Sequence, residues 1–146
     1  MTVSEKRWTP AQENCIYKHG GTLLVSAAAG SGKTSVLVQR IIDRITHPEH
    51  PTDVDRLLVV TFTRAAATEM KNRLAQKLAE CLQKDPHNTN LLRQQLLLPR
   101  AFICTVDSFC GDLVRQNFHL LNIPPQFRVA EEEQLSLLKK EALTDT

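Results

Sequence analysis

Residues Ala27 to Thr34 read AAAGSGKT, and this spacing suits the binding of a polyphosphate. A chain that turns tightly after a strand can aim successive backbone N–H groups at phosphate oxygens. A helix starting at the turn adds the positive end of its dipole. Gly30 and Gly32 permit the positive φ and the close backbone approach that such a turn demands. Lys33 would reach the β- and γ-phosphates, and Thr34 would set its hydroxyl on Mg2+. The strict pattern G-x-x-x-x-G-K-S/T calls for Gly where this chain has Ala27, but Gly30-Ser31-Gly32-Lys33-Thr34 is intact. The cradle identifies a ligand class, nucleoside triphosphate with Mg2+, and not a function, because many unrelated enzymes share it.

Three further segments carry polar or aromatic groups suited to a nucleotide or a nucleic acid. Upstream stands Trp8-Thr9-Pro10-Ala11-Gln12. A Gln amide can pair with the N6 and N7 edge of adenine. By itself the segment is a helix start, with Thr9 as cap and Pro10 in the first turn. Next, Val59-Val60-Thr61-Phe62-Thr63-Arg64 ends an apolar run, where an aromatic can stack on a base and hydroxyls can hold phosphates. Taken alone, Phe62 reads as core. Last, Cys104-Thr105-Val106-Asp107-Ser108-Phe109 offers hydroxyls that can meet a phosphate, and Asp107 or Ser108 can cap the helix that follows.

These groups need a frame. Thr22–Ser26, Leu57–Phe62 and Ala101–Val106 are short apolar runs and predict three buried strands of a parallel sheet covered on both faces. Between them, Lys33–Ile45 has Leu37, Ile41 and Ile45 at helical spacing, with Val38 and Ile42 beside them. A long helix from Ala65 to about Lys84 carries Ala66, Met70, Leu74, Leu78 and Leu82 on one stripe and its basic residues on a solvated face. Further helices are expected over Leu91–Leu98, Ser108–Leu121 and Glu131–Leu143. Alternating strands and helices predict an α/β layer structure with right-handed crossovers.

At 146 residues, 42% apolar and net charge +2, the chain suits one ordinary core and has no bulk charge that would bind DNA by itself. No run approaches a membrane span, and no leader is evident at the polar N-terminus; a cytoplasmic protein without a membrane partner is expected. Cys15, Cys81, Cys104 and Cys110 form no C-x-x-C pair and are expected to be reduced and mostly buried.

In this order, TPAQ, AAAGSGKT, VVTFTRAAATEM and TVDSFCGDLVRQNF resemble the early motifs of superfamily 1 UvrD/Rep-type helicases. They correspond to the Q motif, motif I, motif Ia and the DNA-contacting motif after it. Members of that family commonly carry Ala at the place of Ala27. Within the family, VSAAAGSGKT, TVDSFC and NFHLLNIPPQFRVAEEEQ are most similar to the A-subunit branch of the AddAB-type helicase–nucleases. The resemblance runs from about Trp8 to Leu143.

The resemblance implies a RecA-like P-loop NTPase fold, incomplete here. Residues 1–123 would be the N-terminal part of the ATP-binding domain (1A), and 124–146 the start of an inserted helical subdomain (1B). It implies an ATP-dependent DNA helicase of the 3′–5′ type, coupled to a nuclease in double-strand break repair. Gln12 would contact adenine. Ala29, Gly30, Ser31, Gly32, Lys33, Thr34 and Ser35 would hold the triphosphate, with Thr34 on Mg2+. Lys33 and Thr34 would be the catalytic pair. Thr61, Phe62, Thr63, Arg64, Thr105, Asp107 and Ser108 would line a DNA path, although Arg64 stands where the family usually has Asn. Implied partners are a single-stranded tail or duplex end and the other chain of a heterodimer.

Hydrolysis also needs an acid for Mg2+ and a group that orients water. Val129-Ala130-Glu131-Glu132-Glu133-Gln134 is the nearest match. With two apolar residues before the acids and Pro124-Pro125 upstream, it reads instead as the first turn of a helix. An N-terminal piece of a longer protein, able to bind ATP but not to hydrolyse it, is therefore expected. Alternatives are a stand-alone UvrD/Rep-type repair helicase, a self-contained P-loop kinase or nucleotide-binding module, and a pure binding module.

Overall fold

The computed structural model describes residues 8–130 and 132–144. They fall in two compact units, Met1–Phe109 and Cys110–Thr146.

In the first unit, Thr9 starts helix α1 (Pro10–Tyr17). Its side chain accepts the Gln12 amide while the Gln12 side chain returns to the Thr9 amide, a reciprocal capping box with Pro10 in the first turn. Helix α2 (Lys33–Ile45) buries Val38, Ile41, Ile42 and Ile45, while Leu37 stays partly exposed. After it come strand β1 (Leu58–Thr61), helix α3 (Arg64–Lys84), helix α4 (Thr89–Leu97) and strand β2 (Phe102–Thr105). β1 and β2 pair in parallel, Leu58 opposite Phe102 through Thr61 opposite Thr105, with α3 and α4 forming the crossover. Parallel neighbours require such a long return, and it is what covers one sheet face.

The core joins the α2 stripe to Ala67, Met70, Leu74 and Leu78 of α3, Leu91 of α4, and Val54, Leu98, Ala101 and Ile103. The α3 stripe thus begins at Ala67; Ala66 is exposed. Gln94 is fully buried on the same face of α4 as Leu91. Its carbonyl accepts the Val54 amide at 2.8 Å, and its amide donates to Asp53 and Asn90 at 2.9 and 3.1 Å. A buried amide so satisfied fixes the loop after α2 against α4.

Two expectations need correction. Residues 22–28 form no strand: Leu24 is 93% exposed, and the backbone joins neither β1 nor β2. Apolar sequence creates a preference for a strand, but only a neighbouring ladder makes one. Among the described residues the sheet is also covered on one face and not two. Ile103 is buried and Val59 packs on the core, whereas Leu58, Val60 and Phe102 are about half exposed.

The second unit takes up the rest of α5 (Val106–Gln116), a short turn over Phe118–Leu120, and helix α6 (Glu132–Thr144). Within it, the Arg115 guanidinium lies 5.8 Å from the Phe127 ring centre and bonds Asp112. Glu132 opens α6, in line with reading these acids as a helix start, and Glu131 lies outside the described residues. No described helix is long and apolar enough to cross a membrane.

Candidate nucleotide-binding site

Helix α2 starts directly from the glycine turn. Gly30 and Gly32 have φ of 76° and 81°, the left-handed region that a side chain disfavours. Among the described non-glycine residues only Asn122 has positive φ, so Ala27 occupies an ordinary conformation that needs no glycine. Gly32 is the N-cap, and no side chain caps α2. The first amides of a 13-residue helix are thus left to an outside acceptor, at the positive end of its dipole. Lys33 folds its ammonium back over the turn, donating to the carbonyls of Ala27 and Ala28 at 3.2 and 2.7 Å. Ala29, Gly30 and Ser31 are exposed in the turn, and Thr34 and Ser35 lie in the first turn of α2.

Gln12 is brought to this turn from α1. Its side-chain carbonyl accepts the Thr9 amide at 2.9 Å, and its amide donates to the Ser31 carbonyl at 3.1 Å. A carboxamide oxygen accepts two hydrogen bonds and its nitrogen donates two, so one of each remains for a base edge. The capping and base-contact readings of Gln12 are therefore compatible. A cleft of about 800 Å3 opens here, lined by Thr9, Gln12, Cys15, Val25, Lys33 and Arg40 among others.

A Cβ on Gly32 would lie 3.5 Å from the Gln12 amide nitrogen, and one on Gly30 would meet nothing. Gly30→Ala and Gly32→Ala should therefore each strain the turn, by about 1–2 kcal/mol for left-handed backbone, and the methyl at position 32 would rest in ordinary contact with Gln12. We expect both Gly30→Ala and Gly32→Ala to lower nucleotide affinity, because each puts a side chain on left-handed backbone in the turn. Titration of a fluorescent ATP analogue checks this, and unchanged affinity in both variants would refute it.

The remaining candidates gather at the carboxyl ends of β1 and β2. Thr61 donates to the Thr63 carbonyl at 2.9 Å and reaches the Cys104 carbonyl of the neighbouring strand at 3.4 Å. Thr63 caps α3 through the Ala66 amide. Phe62 is 96% exposed, so its reading as a core residue is corrected: it stands in solvent at the strand end. Arg64 and Asp107 are exposed as well. Thr105 accepts the Ser108 amide at 3.1 Å, so it and not Asp107 or Ser108 caps α5. Its hydroxyl lies 2.8 Å from that of Ser108. All four cysteines are free, but three are half-buried and Cys110 is exposed, against the expectation of mostly buried thiols.

Sequence reading passed over Gln94 and Arg40. Gln94 could have been noticed as a polar residue on an apolar helical stripe. The contacts of Arg40 lie 24 and 25 residues away and leave no local pattern.

Residues 8–146 match the UvrD/REP helicase N-terminal domain. The chain belongs to that family. Among its relatives is the A-subunit of the ATP-dependent helicase/nuclease of Anoxybacillus flavithermus, 52% identical over 139 residues, which are 95% of this chain and 12% of that protein. The protein of the same name from Acetivibrio thermocellus is 52% identical over 144 residues, 98% of this chain and 12% of the relative. That of Clostridium novyi is 51% identical over 141 residues, 97% and 11%. As a UvrD/REP helicase N-terminal domain, the chain spans about an eighth of the length of the curated relatives it matches.

Proposed function

We propose that this chain is the ATP-binding front of an ATP-dependent DNA helicase of the 3′–5′ type, working with a nuclease and a partner chain in double-strand break repair. The observation that carries the reading is the uncapped N-terminus of α2, set behind left-handed Gly30 and Gly32 under the Lys33 ammonium. The triphosphate would lie on the amides from Ala29 to Ser35, with Lys33 at its outer phosphates. Thr34 would give Mg2+ one oxygen; the metal would neutralise phosphate charge. Its carboxylate partner and the water-orienting group would come from further chain. Bound alone, nucleotide should therefore be held weakly and not turned over.

Gln12 would read adenine with its spare acceptor toward N6 and its spare donor toward N7. Guanine offers O6 there, an acceptor facing an acceptor. Thr61, Phe62, Thr63, Arg64, Thr105, Asp107 and Ser108 would form a strip for a single-stranded tail or duplex end. Support for this comes from their shared strand ends and the solvent-exposed Phe62 ring, which suits base stacking. A RecA-like sheet would be completed by strands laid beside residues 22–26 and by helices over the exposed Leu58, Val60 and Phe102. Residues 1–123 would then belong to domain 1A and 124–146 to the start of 1B, in a cytoplasmic protein. The test is ATPase activity of a full-length protein carrying this chain, with and without single-stranded DNA. Stimulation is expected, and equal rates would overturn the reading.

A further inference from the structure

Helix α1 carries Gln12 yet has little to hold it in place. It spans eight residues, and Ile16 is its buried side chain. Eight residues form no stable helix by themselves, so the position of Gln12 depends on what ties α1 down. The last carbonyls of a helix lack partners and attract a cation, but α1 has no basic residue in its last turn.

The cation comes from α2. The Arg40 guanidinium, half-buried, donates to the carbonyls of Cys15 and Ile16 at 2.5 and 3.3 Å. Just beyond α1, the His19 ring takes a second tie: Nδ1 lies 3.1 Å from Arg44 and Nε2 3.2 Å from Asp43, both also on α2. Because Lys33 begins α2 and Arg40 lies two turns along it, one rigid rod carries both the phosphate turn and the clamp on α1. At the other end of α1, Gln12 meets Ser31.

We propose that Arg40 is a positioning residue for base selection: by capping the C-terminus of α1 it sets the distance between Gln12 and the phosphate turn. The proposal rests on the adenine reading of Gln12. Arg40 touches neither phosphates nor base in this role, so its loss should damage recognition of the base and spare that of the phosphate chain.

The test measures affinities of ATP, GTP and inorganic tripolyphosphate for a full-length protein bearing Arg40→Ala, Arg40→Lys, Gln12→Ala, or Arg40→Ala with Gln12→Ala. Arg40→Ala should weaken ATP about tenfold, the effect of one lost charge-assisted hydrogen-bond system, and lower the ATP-over-GTP preference. Tripolyphosphate should stay within about twofold, and the double variant should match Gln12→Ala alone. Arg40→Lys, which keeps a donor cation, should recover part of the preference. Equal weakening of ATP and tripolyphosphate would mark a general loss of structure and overturn the proposal, as would full additivity with Gln12→Ala. If Gln12→Ala changes the preference and Arg40→Ala does not, the positioning role fails alone. If Gln12→Ala leaves the preference unchanged, the adenine reading fails and the proposal falls with it.

Discussion

Lys33→Ala in a full-length protein is expected to lower ATP turnover at saturating nucleotide by at least about a hundredfold, the usual cost of removing one preorganised electrostatic group from a transferring centre. The reason lies in where the charge sits. Lys33 is held over the α2 N-terminus by two carbonyls of the turn, Ala27 and Ala28, and can exchange those neutral partners for phosphate oxygens. In the proposed ATP-binding role, a cation there would stabilise the charge that spreads over the outer phosphate during transfer, beyond what it contributes to binding. Lys33 is at the surface and its bonds among the described residues go to carbonyls of an exposed turn, so the fold should hardly notice the change. Steady-state turnover together with a melting curve checks both halves. A variant with normal turnover, or one that fails only because it unfolds, would contradict the expectation.

Leu74→Ala should be among the most damaging changes to stability, about 3–5 kcal/mol. Leu74 is 0% exposed at the middle of α3, where the helix meets α2, α4 and the sheet. Truncation loses the transfer energy of the side chain and leaves a cavity that four converging elements cannot easily close. Against the roughly 5–15 kcal/mol that holds a typical domain, such a loss is a large fraction. Leu96, 80% exposed on α4, is the matched control and should change stability by no more than about 0.5 kcal/mol when replaced by Ala. Urea unfolding of the two variants separates them, and similar midpoints would show that the core is not centred where α3 crosses.

The two helices that matter most to the site were legible because their signals are local. Lys33–Ile45 follows from apolar residues at helical spacing, and the start of α1 from Thr9, Pro10 and Gln12. The glycine turn was legible for the same reason: left-handed backbone at Gly30 and Gly32 is a property of single residues. Strands β1 and β2 could be placed because each is a short apolar run bounded by breaks, and their parallel pairing follows from the helices between them.

What local pattern leaves open is which groups meet across long separations. The run Thr22–Ser26 has the composition of a strand, yet the ladder that would make it one is not among the described residues. Phe62 has the composition of core, and only the end of β1 sends it into solvent. Gln94 and Arg40 look like surface residues, and the partners that define them lie 24 to 41 residues away. The glycine turn at the start of α2 was thus determined by sequence alone, since a turn and a helix start need only neighbours. Which way Gln12 faces it, and what holds it there, were decided by tertiary structure, because a carbonyl at one helix end and a guanidinium on another have no common pattern until the chain brings them together.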